Sequence, residues 1–162
     1  MTADRKEITI RSLPEDLNHL EKFIEEICTR HNINNTYFGN ITVALSEAVQ
    51  NAFIHGNRED SAREIRVSFR QADSGLSFTV KDQGEGFRFN EVPDPTANGN
   101  EEVVFPGRGI FLIKTLADQV TYKGVGNEVE ILFKISSINF ETLVDRVKKL
   151  KQYNASVKKV TN

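Results

Sequence analysis

Polar and apolar residues alternate through KEITIRSL (6–13), with Ile8 and Ile10 on one face, which predicts a short β-strand. The period then lengthens. Leu17, Leu20, Phe23, Ile24 and Ile27 recur at helical spacing through PEDLNHLEKFIEEICTRH, and Pro14, Glu15 and Asp16 suit a first helical turn. NINN interrupts this pattern, and a second helix is predicted from about Tyr37 to His55, ended by Gly56 or Asn57 in a left-handed conformation. REIRVSFR (63–70) and LSFTVKD (76–82) alternate as strands. The intervening QADSG is too short for a crossover helix, so the two form an antiparallel hairpin. After the long loop 83–109, IFLIKTLADQ reads as a helix, and QVTYKG with NEVEILFKI as a second strand pair. Helical spacing returns at Phe140, Leu143, Val144, Val147 and Leu150, in a tail rich in lysine whose outer face is solvated. Strand, two helices, hairpin, loop, helix, hairpin and helix make a two-layer α+β domain.

Composition narrows the class of protein. A chain of 162 residues is one domain by length, and 38% hydrophobic against 27% charged residues is ordinary globular composition. A net charge of -2 argues against non-specific nucleic-acid binding by the chain as a whole. Cys28 has no second cysteine to pair with and falls in an apolar-periodic segment, which fits a reducing compartment. MTADRKEITI lacks a signal-peptide core and no run approaches membrane-spanning length, so a cytoplasmic location is expected.

Against that background SEAVQNAFIHGN (46–57) is unusual. Glu47, Asn51 and His55 rise one turn apart along one edge of the second helix, while Ile41, Leu45, Ala48, Val49, Ala52 and Phe53 fall on the other side. Glu47 can serve as a base, orient a hydroxyl or face solvent cations. Asn51 offers an oxygen of the kind Mg2+ accepts beside ligand phosphates. His55 can cap the helix end. The competing reading of the Glu47–Asn51 pair is a plain helix–loop hydrogen bond.

Two glycine clusters could complete a site. In DQGEGF (82–87), Asp82 ends a strand and Gly84 and Gly86 allow a turn or a close ligand approach; a simple strand-ending turn fits equally well. In FPGRGI (105–110), Gly107 and Gly109 flank Arg108 at a helix start, where unpaired N–H groups favour phosphate, and a flexible helix entry is the plain alternative. Neither a dinucleotide fingerprint nor a P-loop is present. Taken together, the acid–amide helix, the Asp–Gly loop and the Gly–Arg–Gly helix start make a coherent nucleotide site.

In this order and spacing the three stretches resemble the ATP-binding domain shared by histidine kinases, type II topoisomerases, Hsp90 chaperones and mismatch-repair ATPases. EAVQNAFIHGN looks like the first box of that superfamily, DQGEGF the second and GRGIFLIKTLADQV the third. Over roughly residues 8–135 the chain is similar to the small bacterial anti-sigma-factor serine kinases. The resemblance implies a Bergerat-type fold, a mixed and mostly antiparallel sheet covered on one face by helices, in a single domain 1–162 with a C-terminal helical extension at 138–155. It implies Mg-ATP as cofactor, with Glu47 as general base and Asn51 holding Mg2+. Asp82 would accept from the adenine amino group in a pocket shaped by Gly84 and Gly86. Residues 88–106 would form a lid, and Gly107, Arg108 and Gly109, with Ile110 behind them, would line the phosphates beside His55 at the end of the first box, Arg108 stabilising developing charge. The γ-phosphoryl would pass to a serine or threonine of an anti-anti-sigma partner, and a sigma factor would be sequestered, usually by a homodimer. Where family members commonly have Gly followed by Thr after the third box, this chain has Asn127 and Glu128. The rival reading is a regulatory binding module without kinase activity. Histidine phosphorylation is disfavoured because no dimerisation helix pair precedes the core, and topoisomerase or mismatch-repair roles would need further domains.

Overall fold

The computed structural model describes residues 4–88, 107–135 and 146–155. Five strands, β1 (Arg5–Ile10), β2 (Ile65–Ala72), β3 (Gly75–Lys81), β4 (Gln119–Lys123) and β5 (Glu128–Lys134), form one sheet in the order β1-β2-β3-β5-β4. Every neighbouring pair is antiparallel. The helices α1 (Leu17–Arg30) and α2 (Asn35–Asn51) share one core with this sheet, and α3 (Gly107–Leu116) packs against α2. The chain is therefore the expected two-layer α+β fold of Bergerat type, with the sheet antiparallel throughout its described strands instead of mixed.

Strand alternation sorts the two faces of the sheet. Val67, Phe69, Phe78, Val80, Ile131 and Phe133 are buried with Leu20, Ile24, Ile41 and Leu45 of the helices, while Arg66, Arg70, Lys81 and Lys134 are exposed on the other face. Each such apolar side chain contributes about 1.5–3 kcal/mol on full burial. Cys28 is buried among them, and its apolar surroundings push the thiol up to about 11.

NINN breaks the helical pattern because it both ends one helix and starts the next. Asn32 takes the left-handed conformation (φ 53°), and Ile33 N–H donates to the Cys28 carbonyl (2.9 Å), a Schellman closure of α1. Asn34 then caps α2, its Oδ1 accepting from Tyr37 N–H at 2.9 Å.

Four local expectations are corrected. Pro14, Glu15 and Asp16 precede α1 instead of forming its first turn. The Asp16 carboxylate reaches back to accept from the N–H groups of Arg11 (2.8 Å) and Ser12 (3.2 Å), which holds it below the usual carboxylate range. The first hairpin turns on Asp73 and Ser74 alone, since the ladder continues to Ala72 opposite Gly75. The helix over 37–55 is not uniform: α2 passes at Ala52 into one π-helical turn, Ala52–Gly56, closed by Asn57 N–H on the Ala52 carbonyl (2.7 Å).

Neither Gly56 nor Asn57 is left-handed; Arg58 (φ 53°) and Glu59 (φ 59°) are. Asn57 is fully buried, and its side chain bridges two strands' ends. Its Oδ1 accepts from Gln83 N–H (2.8 Å) and its Nδ2 donates to the Glu64 carbonyl (3.1 Å), so the reversal falls on the next two residues. Asn57→Ala removes both bonds of a fully buried amide and leaves the Gln83 N–H and the Glu64 carbonyl without this partner, and we expect a loss of about 2–3 kcal/mol. Thermal unfolding should show Tm lowered by roughly 5–10 °C; an unchanged Tm would rule this bridge out as a support.

The tail packs on the body. Residues 146–155 are helical (α4), with Arg146 paired to Asp118 at 2.6 Å, the Tyr153 ring 5.3 Å from that of Phe111, and Leu150 against the core. The expected lid, apart from Arg88, and residues 138–145 of the extension lie outside the described residues. Among the described residues no helix is long and apolar enough to cross a membrane.

Candidate functional site

Helix α2 turns Glu47 and Asn51 toward the first turn of α3, formed by Gly107, Arg108 and Gly109. Gly109 makes this approach possible. A Cβ there would lie 2.8 Å from Asn51 Nδ2, 3.1 Å from its Oδ1 and 3.2 Å from Glu47 Oε2. Glu47 Oε2 and Asn51 Oδ1 are buried without a hydrogen-bond partner among the described residues. Leaving such groups unpaired costs about 1–3 kcal/mol each. Both are acceptors, so what fits them is a cation or a hydroxyl donor. Burial also pushes the Glu47 carboxyl above its ordinary range. Among the described residues no helix–loop hydrogen bond is made at these two atoms.

One turn further along, a cavity of about 210 Å³ opens between α2, the π-helical turn and the ends of β3 and β5. Asn51, His55, Asp82 and Gly86 all line it, over a largely apolar floor that includes Val80, Ile113 and Val129. Asp82 is only 9% exposed. Burial raises its carboxyl, although the N–H of Gly84 (2.8 Å from Oδ1) and the charge of Arg63 pull the other way. The π-helical turn brings Gly56 against this loop so closely that a Cβ on Gly84 would stand 2.1 Å from the Gly56 carbonyl oxygen. A Cβ on Gly56 would in turn stand 2.3 Å from the Asp82 carboxyl carbon. Asp–x–Gly–x–Gly is thus a cavity wall whose glycines are demanded by close backbone approach.

The two clusters meet at Asn51, which touches both. Glu47 stands with Asn51 and Gly109 at one end, outside the cavity lining, and Gly84 holds Asp82 at the other. His55 is exposed on the π-helical turn at the cavity edge. Ile110 is 3% exposed and does not line the cavity. Among the described residues no three His, Cys, Asp or Glu side chains gather as a metal site. A cation here would be held by few protein oxygens, Asn51 Oδ1 among them, together with its ligand's oxygens, the mode Mg2+ favours.

Sequence reasoning missed the opposite wall. The Phe87 and Tyr122 rings meet edge to face (5.3 Å, 88°), and Phe87 N–H donates to the Val125 carbonyl (3.0 Å). Gly86 (φ 83°) and Gly126 (φ 98°) interlock, since a Cβ on either would strike the other loop's backbone. Glycine in GVGN was the available signal. What it faced depended on β5 lying beside β3, which local sequence does not say.

Comparison with known proteins shows the family. Residues 10–133 match the model of the histidine kinase-like ATPase domain. The chain is 25% identical over 123 residues to the serine-protein kinase RsbW of Bacillus subtilis (strain 168), covering 73% of this chain and 77% of that protein. It is 24% identical over 147 residues to the RsbW of Oceanobacillus iheyensis, covering 88% and 91%. It is 29% identical over 96 residues to the anti-sigma F factor of Clostridium perfringens (strain SM101 / Type A), covering 58% and 69%.

Proposed function

Since the chain belongs to the histidine kinase-like ATPase domain family, we propose that it is an ATP-dependent serine/threonine protein kinase acting as a cytoplasmic anti-sigma factor. The γ-phosphoryl of Mg-ATP passes to a serine or threonine of an anti-anti-sigma partner, and a homodimer of the kinase sequesters the sigma factor. The observation that carries this reading is the pair of buried, unpartnered oxygens on Glu47 and Asn51, held against the glycine-led start of α3.

In this reading Asp82 accepts from the adenine amino group inside the apolar cavity, and Asn51 holds the cation at the cavity's phosphate end. Mg2+, when bound, neutralises charge on the phosphates. The first turn of α3 offers N–H groups to those phosphates, and Arg108 would supply a positive charge for them. Glu47 takes the proton of the incoming hydroxyl. Positioning and charge compensation are most of what phosphoryl transfer requires.

Calorimetric titration of ATP, with and without Mg2+, tests the site. Asn51→Ala should weaken the Mg-dependent binding by about tenfold or more, as loss of a charge-assisted contact of about 1.5–3 kcal/mol requires. Binding indifferent to both Mg2+ and Asn51 would remove the proposed cation role. No binding by the folded protein would leave a nucleotide-independent regulatory module.

A further inference from the structure

Asp82 has a cross-strand partner that the ATPase reading leaves unused. The β3–β5 ladder runs to Lys81 opposite Glu128, and one step further Asp82 N–H donates to the Asn127 carbonyl at 2.9 Å. Asp82 and Asn127 are therefore direct neighbours, on the inward face shared with the pair Val80 and Val129. Side chains so placed have Cβ atoms about 4.5–5.5 Å apart. Both residues line the cavity.

The Asn127 amide is oriented by its own bond. Its Nδ2 donates to the Asp82 carbonyl (3.3 Å), which can only accept, so the nitrogen lies on the Asp82 side. An amide nitrogen carries two hydrogens, and that bond uses one. The cavity wall thus sets a carboxylate acceptor next to an amide donor. This is the complement of one edge of adenine, where the N6 amino group donates and ring nitrogen N1 accepts. Guanine presents the reverse, an O6 acceptor beside an N1 donor.

We propose that Asn127 is a second base-reading residue, whose remaining amide N–H donates to adenine N1 while Asp82 accepts from the N6 amino group. The assignment rests on the nucleotide reading above and adds to it a specificity determinant at a position where this chain departs from the Gly-and-Thr pattern. The side chain also braces the Asp82 carbonyl, so loss of Asn127 loosens Asp82 for any adenine nucleotide. Only the contact to N1 distinguishes ligands that differ at that atom.

The test compares ATP with 1-deaza-ATP, in which N1 is a C–H, by calorimetry on the wild-type protein and on Asn127→Ala. Wild type should bind 1-deaza-ATP about five- to tenfold more weakly than ATP, the worth of one neutral hydrogen bond. Asn127→Ala should bind the two with equal affinity, whatever its overall loss. An undiminished preference for ATP in Asn127→Ala overturns the proposal, because N1 is then read by another group. Equal affinities in the wild type overturn it without recourse to any variant, should Asn127→Ala fail to fold. A wild type that binds neither nucleotide overturns the kinase reading itself, an outcome distinct from both.

Discussion

Glu47→Gln is expected to lower phosphoryl transfer by about 10²–10⁴-fold, the range for removal of a general base, with ATP affinity nearly unchanged. The isosteric amide keeps the volume beside Gly109 and keeps an oxygen, but it cannot take a proton. Burial already holds the wild-type carboxyl above the ordinary value of 4.5. The base must be ionised to act, so wild-type transfer should fall as pH drops through this raised value. The acid limb of its rate profile therefore belongs at a higher pH than for an exposed glutamate. Residual transfer by Glu47→Gln should lack that limb.

Linkage gives an independent check on the same variant. A carboxyl whose pKa is raised by folding favours the native state below its unfolded pKa, and that contribution is lost as pH rises through the folded pKa. At neutral pH the buried carboxylate is a burden to the fold. Glu47→Gln should therefore unfold at a Tm no lower than wild type, which separates lost chemistry from lost structure. Transfer at the wild-type rate would end the assignment of Glu47 as base.

Gly84→Ala is expected to have the second large effect, on binding. Its new Cβ would stand 2.1 Å from the Gly56 carbonyl oxygen, 2.7 Å from the Gly56 carbonyl carbon and 2.9 Å from Asp82 Oδ1. Backbone on the far side cannot rotate away as a side-chain tip can. Either the Asp82–Gly84 loop or the π-helical turn must move, and each carries a cavity-lining residue, Asp82 or His55. Overpacking of this kind costs about 1–3 kcal/mol, so ATP affinity should fall about five- to 150-fold and Tm should drop as well. The contrasting control is Gly39→Ala on α2, where an added Cβ meets nothing within 4 Å and helix propensity improves. Calorimetry and melting of the two variants side by side decide the matter. If Gly84→Ala binds ATP as tightly as wild type, the close approach of the two loops does not shape the pocket.

Much of this site could be read in advance because it is written in short-range spacing. Glu47, Asn51 and His55 are one helical turn apart, and a period of 3.6 residues places them on one edge wherever the helix lies. The apolar positions Ile41, Leu45, Ala48, Val49, Ala52 and Phe53 had to face a core, and these six are buried. Asp82 and its glycines follow from a strand that ends in residues able to turn. The alternation in β2, β3 and β5 settled which side of the sheet is apolar before any packing was known.

What spacing could not supply was anything that depends on a second segment. Asn57 looked like a helix end because Asn is common there; its burial was decided by Gln83 and Glu64, which approach it from other elements. The left-handed residues became Arg58 and Glu59 for the same reason. Gly109 read as helix entry, and only the packing of α3 on α2 made it the contact that closes over Glu47 and Asn51. Asn127 was legible as a departure from a family pattern, without a role until strand order set it opposite Asp82. Local sequence by itself determined periodicity, turn chemistry and which residue types line up along one element, because sterics and hydrogen bonding within a few residues control those. The tertiary structure alone decided which glycines are indispensable, which polar atoms are left without a partner and which wall faces Asp82, because those are set by the distance between backbones remote in sequence.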